Sequence, residues 1–297
     1  MSRKTVVITG CSEGGIGAAL ALEFHAQGYR VFATARNVGK MRSLAEQGIE
    51  TLPLDVDSDE SIAACAAAVQ EAADKLDYLV NNAGVHHVLP FTDSRIEDLR
   101  RVVNTNVVGV LAVTQAFVPL LIRARGTVAT VGSINEVLCP PYSVAYSASK
   151  AAVHAVSRVL RVELAPLGVR FVTLVTGSVK SKLGDNTPSK VPEDSLYRAA
   201  ASTIENHEFL RGQPVTDTDV FARQVVRDLT RPQPKLNIWR GGSSTWAWFL
   251  SWFGWEGIFV SYFYSFFSLP TPPFFFRRGD DFYYFVELIP SVFRILP

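Results

Sequence analysis

The segment Lys4-Thr5-Val6-Val7-Ile8-Thr9-Gly10-Cys11-Ser12-Glu13-Gly14-Gly15-Ile16-Gly17 joins a β-branched run to a glycine-rich turn and then to the helical stretch Ile16–Gln27. The Thr, Val and Ile side chains suit a strand, and a run apolar on both faces suits one buried from both sides. Glycines in the turn allow positive φ and let the backbone approach a bound group closely. The helix that follows opens with free N–H groups and the positive end of its dipole, which favour an anion. At the first strand–helix junction of an α/β chain this combination predicts a dinucleotide pyrophosphate site. The residues expected to contact it are Gly10, Ser12, Gly15, Ile16 and Gly17.

The alternation continues outward from that turn. Strands are predicted at Arg30–Ala35, Glu50–Leu54, Asp77–Val80, Thr127–Val131 and Val169–Val175, with a weaker one at Lys235–Trp239. Helices are predicted at Met41–Gln47, from Asp57 or Ser58 to about Ala73, at Ser94–Arg123 with an irregularity near Pro119, at Ala145–Leu164 and at Asp217–Leu229. Strands separated by helices pair in parallel through right-handed crossovers. The expected fold is therefore α/β, a Rossmann-type doubly wound parallel sheet of about seven strands. Residues 1–241 make the catalytic body, and within it the irregular polar stretch 182–210 is expected to be a substrate lid. Residues 242–297 are an aromatic extension.

The chain has 297 residues, of which 48% are hydrophobic and 19% charged, enough to bury a large core. A net charge of +1 gives no reason to expect nucleic acid as a partner. Three scattered cysteines, Cys11, Cys65 and Cys139, make neither a disulfide framework nor a metal-ligand spacing, so a reducing, cytoplasmic location is expected. The apolar run Thr5–Thr9 is too short for the core of a signal peptide.

The second strand ends in Ala33-Thr34-Ala35-Arg36-Asn37. A carboxylate at this position would bind the adenosine ribose and reject a 2′-phosphate; Arg36 would pair with that phosphate instead. NADP(H) is therefore expected, although Glu13 in the turn opposes a second phosphate. Asp55 and Val56, after the third strand, are placed to meet the adenine.

Tyr146-Ser147-Ala148-Ser149-Lys150 opens a helix, and residues four apart share one face. Carbonyl reduction needs a proton donor at the developing alkoxide, and alcohol oxidation needs the reverse. A free tyrosine ionises near ~10, and an adjacent ammonium lowers that value. Ser133 closes the fifth strand and is expected to hydrogen-bond the substrate oxygen. Asn106, on the long helix, is expected to hold a water behind Lys150. Asn81-Asn82-Ala83-Gly84 closes the fourth strand, and Thr176-Gly177-Ser178-Val179-Lys180-Ser181 follows the sixth, where a nicotinamide amide would lie.

These five elements, in this order from about Lys4 to Ser181, resemble the classical short-chain dehydrogenases/reductases. The resemblance implies a tetrad of Asn106, Ser133, Tyr146 and Lys150. It also implies cofactor contacts from Asn82, Ala83, Gly84, Tyr146, Lys150, Val179 and Ser181. Within the family, Tyr146–His154, Thr176–Val179 and the late Trp239-Arg240-Gly241 are similar to fungal NADPH-dependent 1-acyldihydroxyacetone-phosphate reductases. That points to a hydrophobic substrate, a lipid intermediate or a fungal natural product. Two departures stand out. The turn is one residue longer than the usual Thr-Gly-xxx-Gly-x-Gly, and Thr176 replaces the proline usual before Gly177, implying a looser loop there.

His86 and His87 lack a third ligand and are expected at the pocket rim, so no metal is expected. His154 is read as a helix-packing histidine, and Cys139, Pro140 and Pro141 as shaping the substrate pocket. All five tryptophans lie between Trp239 and Pro297. Residues 246–269 carry one charge, Glu256, and as a helix would span about 36 Å. The central carboxylate, Gly254 and Gly257 oppose a simple crossing, and Trp and Tyr favour the membrane interface. The segment is expected to make peripheral membrane contact, on the cytosolic face of the endoplasmic reticulum or of lipid droplets; a lid role, packing between subunits of a homo-oligomer and a true crossing are the alternatives.

Overall fold

The computed structural model describes residues 3–184, 190–206 and 213–253. Seven strands form one parallel sheet: β1 (Thr5–Thr9), β2 (Arg30–Ala35), β3 (Glu50–Pro53), β4 (Tyr78–Asn81), β5 (Thr127–Val131), β6 (Arg170–Thr176) and β9 (Asn237–Arg240). Their order is β3-β2-β1-β4-β5-β6-β9. Two further short strands, β7 (Val179–Lys180) and β8 (Thr216–Asp217), pair with each other. Two residues are too few to show a sequence period, which is why this ribbon is not legible in the sequence.

Helices cover both faces. On one, Leu20, Ala21 and Phe24 of α1 (Ile16–Ala26) meet Phe221, Val225 and Val226 of α9 (Thr218–Leu229) over Val6, Ile8 and Val31. On the other, α3 (Asp59–Ala72) and α5 (Gly109–Ala124) pack Ile62, Val69, Val113 and Phe117 against Val7, Leu79 and Val128. Alternate residues of β1 thus face opposite cores, and each strand must be apolar on both faces. Short α2 (Arg42–Glu46) follows β2. Ser58 caps α3, its Oγ accepting the Ser61 N–H at 3.2 Å. The thiols of Cys11 and Cys65 are buried, which pushes them up to about 12 and about 11; buried, protonated thiols are inert.

The long helical run breaks at a different place from the one expected. It comprises α4 (Ile96–Val103), a π-turn at Asn104–Val108 and α5, and Pro119 lies inside α5. Pro119 is on the exposed side of α5, where the carbonyl it orphans is open to solvent. The π-turn is held from outside the helix. The Asp57 carboxylate accepts from Asn104 Nδ2 at 3.0 Å and Thr105 Oγ1 at 2.8 Å. Gly109 leaves only 2.8 Å between a would-be Cβ and the Val56 carbonyl. By length and composition this run could cross a membrane, but Val113, Phe117, Leu120 and Leu121 are core residues packed with the sheet.

Two short helices, α6 (Asn135–Leu138) and α8 (Ala201–Glu205), and the start of the long α7 (Val144–Leu164) lie towards the site. Helix α8 falls in the polar stretch, where the sequence pattern assigns none. Ile204 and Val191 bury themselves against Val88, and this one apolar contact orders a polar stretch with no readable period. Residues 185–189 and 207–212, also within the expected lid, lie outside the described residues. Ser244–Phe253 forms α10, seated by Ala247 against Ile134 and Val175. Gly254, Gly257, the remainder of 246–269 and the rest of the extension lie outside the described residues.

Candidate active site

β1 and β4 are neighbours from which the chain winds in opposite directions, and such a switch point opens a crevice beyond the strand ends. Thr9 stitches the two ends together, its Oγ1 accepting the N–H groups of Asn82 and Ala83 at 3.0 and 2.9 Å. Asn82 Nδ2 returns bonds to the carbonyls of Thr9 and Gly10 at 2.8 and 3.0 Å. Asn82 is thus a brace for the turn. Gly10 has φ +73°, and a Cβ on it would stand 2.8 Å from Ala83 Cα. Gly17 is equally confined, at 2.5 Å from Asn82 Nδ2 and the Gly10 carbonyl.

The turn therefore folds tightly over the start of α1, and no side chain caps that helix. Gly15, its N-cap residue, and Ile16 and Gly17 in its first turn present the helix end to the crevice mouth, and Ser12 lies within the turn. The Glu13 carboxylate, an obstacle to a second phosphate in the sequence, accepts the Ser43 N–H at 3.0 Å. That bond, with Lys182 and Arg42 nearby, holds it below the usual carboxylate range. Lys182 escaped the sequence reading. Its side chain lies across Gly14, where a Cβ would come within 2.7 Å of its Cε. Arg36 is exposed at the end of β2, while Asp55 and Val56 are half-buried after β3. Val179 lies in β7, and Ser181 follows it, half-buried.

The second group of side chains gathers beyond β4 and β5. The first two turns of α7 carry Tyr146 and Lys150, both buried. Burial pushes the Tyr146 phenol up to about 12, and the neighbouring Ser133 hydroxyl only partly offsets this. Lys150 Nζ lies 5.6 Å from the Tyr146 ring centroid and donates to the Val131 carbonyl at 2.8 Å. Desolvation takes Lys150 down to about 8. The expected lowering of the phenol by its neighbour is absent from this arrangement, because burial outweighs an ammonium directed at a backbone carbonyl.

Asn106, buried in the π-turn, accepts the Val85 N–H at 2.8 Å and donates to the Val85 carbonyl at 2.9 Å. Its Nδ2 also reaches Ser149 Oγ at 3.0 Å. It thereby ties the segment after β4 to α7. Gly84 sits between these groups: a Cβ there would be 3.1 Å from Asn106 Oδ1 and 3.9 Å from Lys150 Nζ. Asn106, Ser133, Tyr146 and Lys150 are thus brought together, next to Gly84. The two histidines part company. His86 packs its ring on Tyr146, centroids 4.2 Å apart, and His87 Nε2 bonds to Ser94 Oγ at 3.0 Å.

Thr176 does not leave the following loop slack. It is the last residue of β6, its Oγ1 donates to the Leu174 carbonyl, and its carbonyl accepts the Ile134 N–H at 3.0 Å. Gly177 then donates to the Arg240 carbonyl at 2.8 Å. A Cβ on Gly177 would be 2.0 Å from the Gly242 carbonyl, so the two backbones are in contact. This explains the late Trp239-Arg240-Gly241 signature. Arg240 pairs with buried Asp228 of α9, and the glycines that follow admit the β6 loop. Leu138 and Trp239 beside α10, and Tyr142 stacked edge-on to Tyr197 at 5.8 Å, give the surroundings an apolar character.

Comparison with known proteins agrees with this geometry. Residues 4–192 match the short chain dehydrogenase family. A short-chain dehydrogenase/reductase of Pestalotiopsis microspora is 44% identical over 251 residues, covering 82% of this chain and 86% of that one. The NADPH-dependent 1-acyldihydroxyacetone phosphate reductase of Schizosaccharomyces pombe is 44% identical over 202 residues, 66% of this chain and 68% of that one. The crystal structure of a short-chain dehydrogenase from Streptomyces avermitilis superposes with a TM-score of 0.75 at 26% identity, covering 91% of this chain and all of that one.

Proposed function

The chain belongs to the short-chain dehydrogenase family, and from that premise we propose that it is an NADP(H)-dependent carbonyl reductase acting on a hydrophobic substrate, a lipid intermediate or a fungal natural product. One observation carries the reading: the buried Tyr146 phenol neighbours the Ser133 hydroxyl and a buried ammonium, next to a strand-end crevice shaped for a dinucleotide.

The residues suit the cofactor. Gly10 and Gly17 leave no room for side chains, α1 is uncapped, Lys182 supplies positive charge at the pyrophosphate turn, and Arg36 supplies it where the adenosine ribose would lie. Gly10, Ser12, Gly15, Ile16 and Gly17 would hold the pyrophosphate, Arg36 the 2′-phosphate, and Asp55 and Val56 the adenine. Ala83, Gly84, Val179 and Ser181, with Tyr146 and Lys150, would hold the nicotinamide end. When bound, the nicotinamide supplies the hydride.

The chain's own residues do the rest. Ser133 Oγ accepts the Asn135 N–H at 3.1 Å, which leaves its hydroxyl hydrogen free to turn towards a substrate oxygen. Tyr146, protonated throughout the neutral range, is the proton donor to that oxygen. The protonated phenol is the form that carbonyl reduction uses, and alcohol oxidation uses the phenolate. Lys150 places positive charge beside the phenol as it gives up its proton. Asn106 fixes Val85 and α7 relative to one another, and with them the distance from the strand-end crevice to Tyr146.

The extension and the exposed apolar residues support two further parts of the proposal. Trp252 and Phe253 at the end of α10 are largely exposed and lead into the aromatic extension, which suits peripheral contact with a cytosolic membrane face. Leu111 and Ile122 on α5, with Val159 and Val162 on α7, are exposed large apolar residues suited to a homo-oligomer interface. NADPH consumption on a panel of lipophilic ketones tests the activity, with Tyr146→Phe as control; full activity in that variant would sink the assignment. Liposome flotation of the whole chain and of a chain lacking residues 242–297 tests the membrane contact, and equal flotation would defeat it.

A further inference from the structure

Lys182 is exposed, yet its side chain is laid against the glycine turn. A Cβ on Gly14 would stand 3.3 Å from its Cγ, 3.0 Å from its Cδ and 2.7 Å from its Cε. Three consecutive methylenes therefore run along the bare face of Gly14, and the ammonium is one bond further on. The backbones meet as well, the Lys182 N–H donating to the Gly14 carbonyl at 3.4 Å. The segment that ends at Lys182 is anchored along its length. The Gly177 N–H donates to the Arg240 carbonyl at 2.8 Å and the Ser178 N–H to the Gly242 carbonyl at 2.9 Å. The Lys180 carbonyl accepts Thr218 Oγ1 at 2.6 Å. The chain is thus held in place from the end of β6, where the nicotinamide would lie, to the turn that would hold the pyrophosphate.

We propose that Lys182 is a strap: its ammonium binds the pyrophosphate of the dinucleotide and so ties the nicotinamide loop to the glycine turn over the bound cofactor. The inference rests on the reading of the crevice as a dinucleotide site. A lysine ammonium is a compact charge suited to phosphate. The course of the side chain also gives the longer turn a use. Of its two adjacent glycines, Gly15 is the N-cap residue of α1, and Gly14, at φ +77°, is the landing for Lys182. Any side chain on Gly14 would displace those methylenes. The competing anion is the Glu13 carboxylate, which feels the Lys182 charge but already accepts the Ser43 N–H at 3.0 Å. Holding a long exposed side chain to one course costs rotamer entropy, and a lysine already lying across the turn has met part of that cost before the cofactor arrives.

A strap has a kinetic signature that needs no turnover. NADPH binding to the full-length protein is followed by its fluorescence in a stopped flow, with no ketone present. In Lys182→Met the dissociation rate should rise by about tenfold or more, the worth of one charge-assisted bond, while the association rate changes less than about threefold. Lys182→Arg keeps the charge and should restore most of the slow release. Adenosine 2′-monophosphate, which lacks the pyrophosphate, should compete equally well for the wild type and Lys182→Met. A lysine that only attracts the cofactor from a distance would slow association and leave release alone, and that result overturns the strap. A lysine that serves only as the partner of Glu13 would make Glu13→Gln release NADPH as fast as Lys182→Met does, which also overturns it; the strap predicts release from Glu13→Gln no faster than from the wild type. A wild-type chain that binds neither NADPH nor NADH sinks the reading of the crevice, whereas wild-type binding with release unchanged in Lys182→Met sinks the strap alone.

Discussion

Asn106 and Val85 are bonded in both directions: Asn106 Oδ1 accepts the Val85 N–H at 2.8 Å, and its Nδ2 donates to the Val85 carbonyl at 2.9 Å. A strand neighbour makes the same pair of bonds, so one amide side chain stands in for a missing strand beside the segment after β4. Asn106→Leu would leave both backbone groups and Ser149 Oγ without this partner. The expected cost is about 2–4 kcal/mol, since each buried orphan costs roughly 1–3. Urea unfolding of the variant measures it, and a loss below about half a kcal/mol would refute the bracing role.

Tyr146→Phe removes only the phenolic oxygen from a buried ring. Turnover should drop by at least ~100-fold, the usual contribution of a positioned proton donor. NADPH affinity, read by fluorescence titration, should change less than about threefold, because one hydrogen bond is worth about 0.5–1.5 kcal/mol.

The buried ammonium makes stability depend on pH with a definite sign. Lys150 falls from 10.5 to about 8 on folding, so between those values the unfolded chain binds the extra proton and stability rises with pH. Tyr146 moves the other way, from 10 to about 12, so its contribution holds below pH 10 and falls only between pH 10 and 12. Lys150→Met should therefore be more stable than the wild type at pH 7, by about 1–3 kcal/mol, since a tenfold change in proton affinity corresponds to about 1.36 kcal/mol. The advantage should vanish towards pH 10. Denaturation midpoints at pH 7, 8, 9 and 10 show the trend, and an advantage that grows with pH would contradict it.

Arg36 stands exposed at the end of β2, where the adenosine ribose of a bound dinucleotide would lie. Arg36→Glu should lower the NADPH-to-NADH preference by about 10–100-fold, the worth of a charge-assisted bond. The ratio of kcat/KM for the two cofactors reads this directly, and an unchanged ratio would show that Arg36 is only a solvated surface residue.

Gly242 faces the Pro214 carbonyl so closely that an ideal Cβ would lie 1.6 Å from it. Gly242→Ala must push two backbones apart, and losses of several kcal/mol are usual for such overpacking. The variant should be recovered mostly as insoluble protein, whereas Gly28→Ala, with nothing within 4 Å, suffers only from its left-handed backbone. Soluble yield and thermal midpoint compare the two, and equal behaviour would rule out the tight crossing.

Much of the fold could be read because its signals are local. A strand buried on both faces writes a continuous apolar run, as in Thr5–Thr9 and Thr127–Val131, and glycines mark where the backbone must turn tightly. The residues at Tyr146 and Lys150 were legible because helical spacing alone puts them on one face. The π-turn was not, because its cause is Asp57, distant in sequence and brought alongside by the third crossover. Lys182 was missed for the same reason: it matters through what it lies against, Gly14, and a lone lysine in a polar stretch carries no pattern.

The sequence by itself determined the α/β alternation, the glycine turn and the identities of the four residues that meet near Gly84, because periodicity and turn chemistry act over a few residues. Tertiary structure alone decided the electrostatics of that meeting. Burial sends the Tyr146 phenol up and the Lys150 ammonium down. Desolvation and Coulomb attraction depend on what surrounds a charge in space, and that is set only when distant segments pack together.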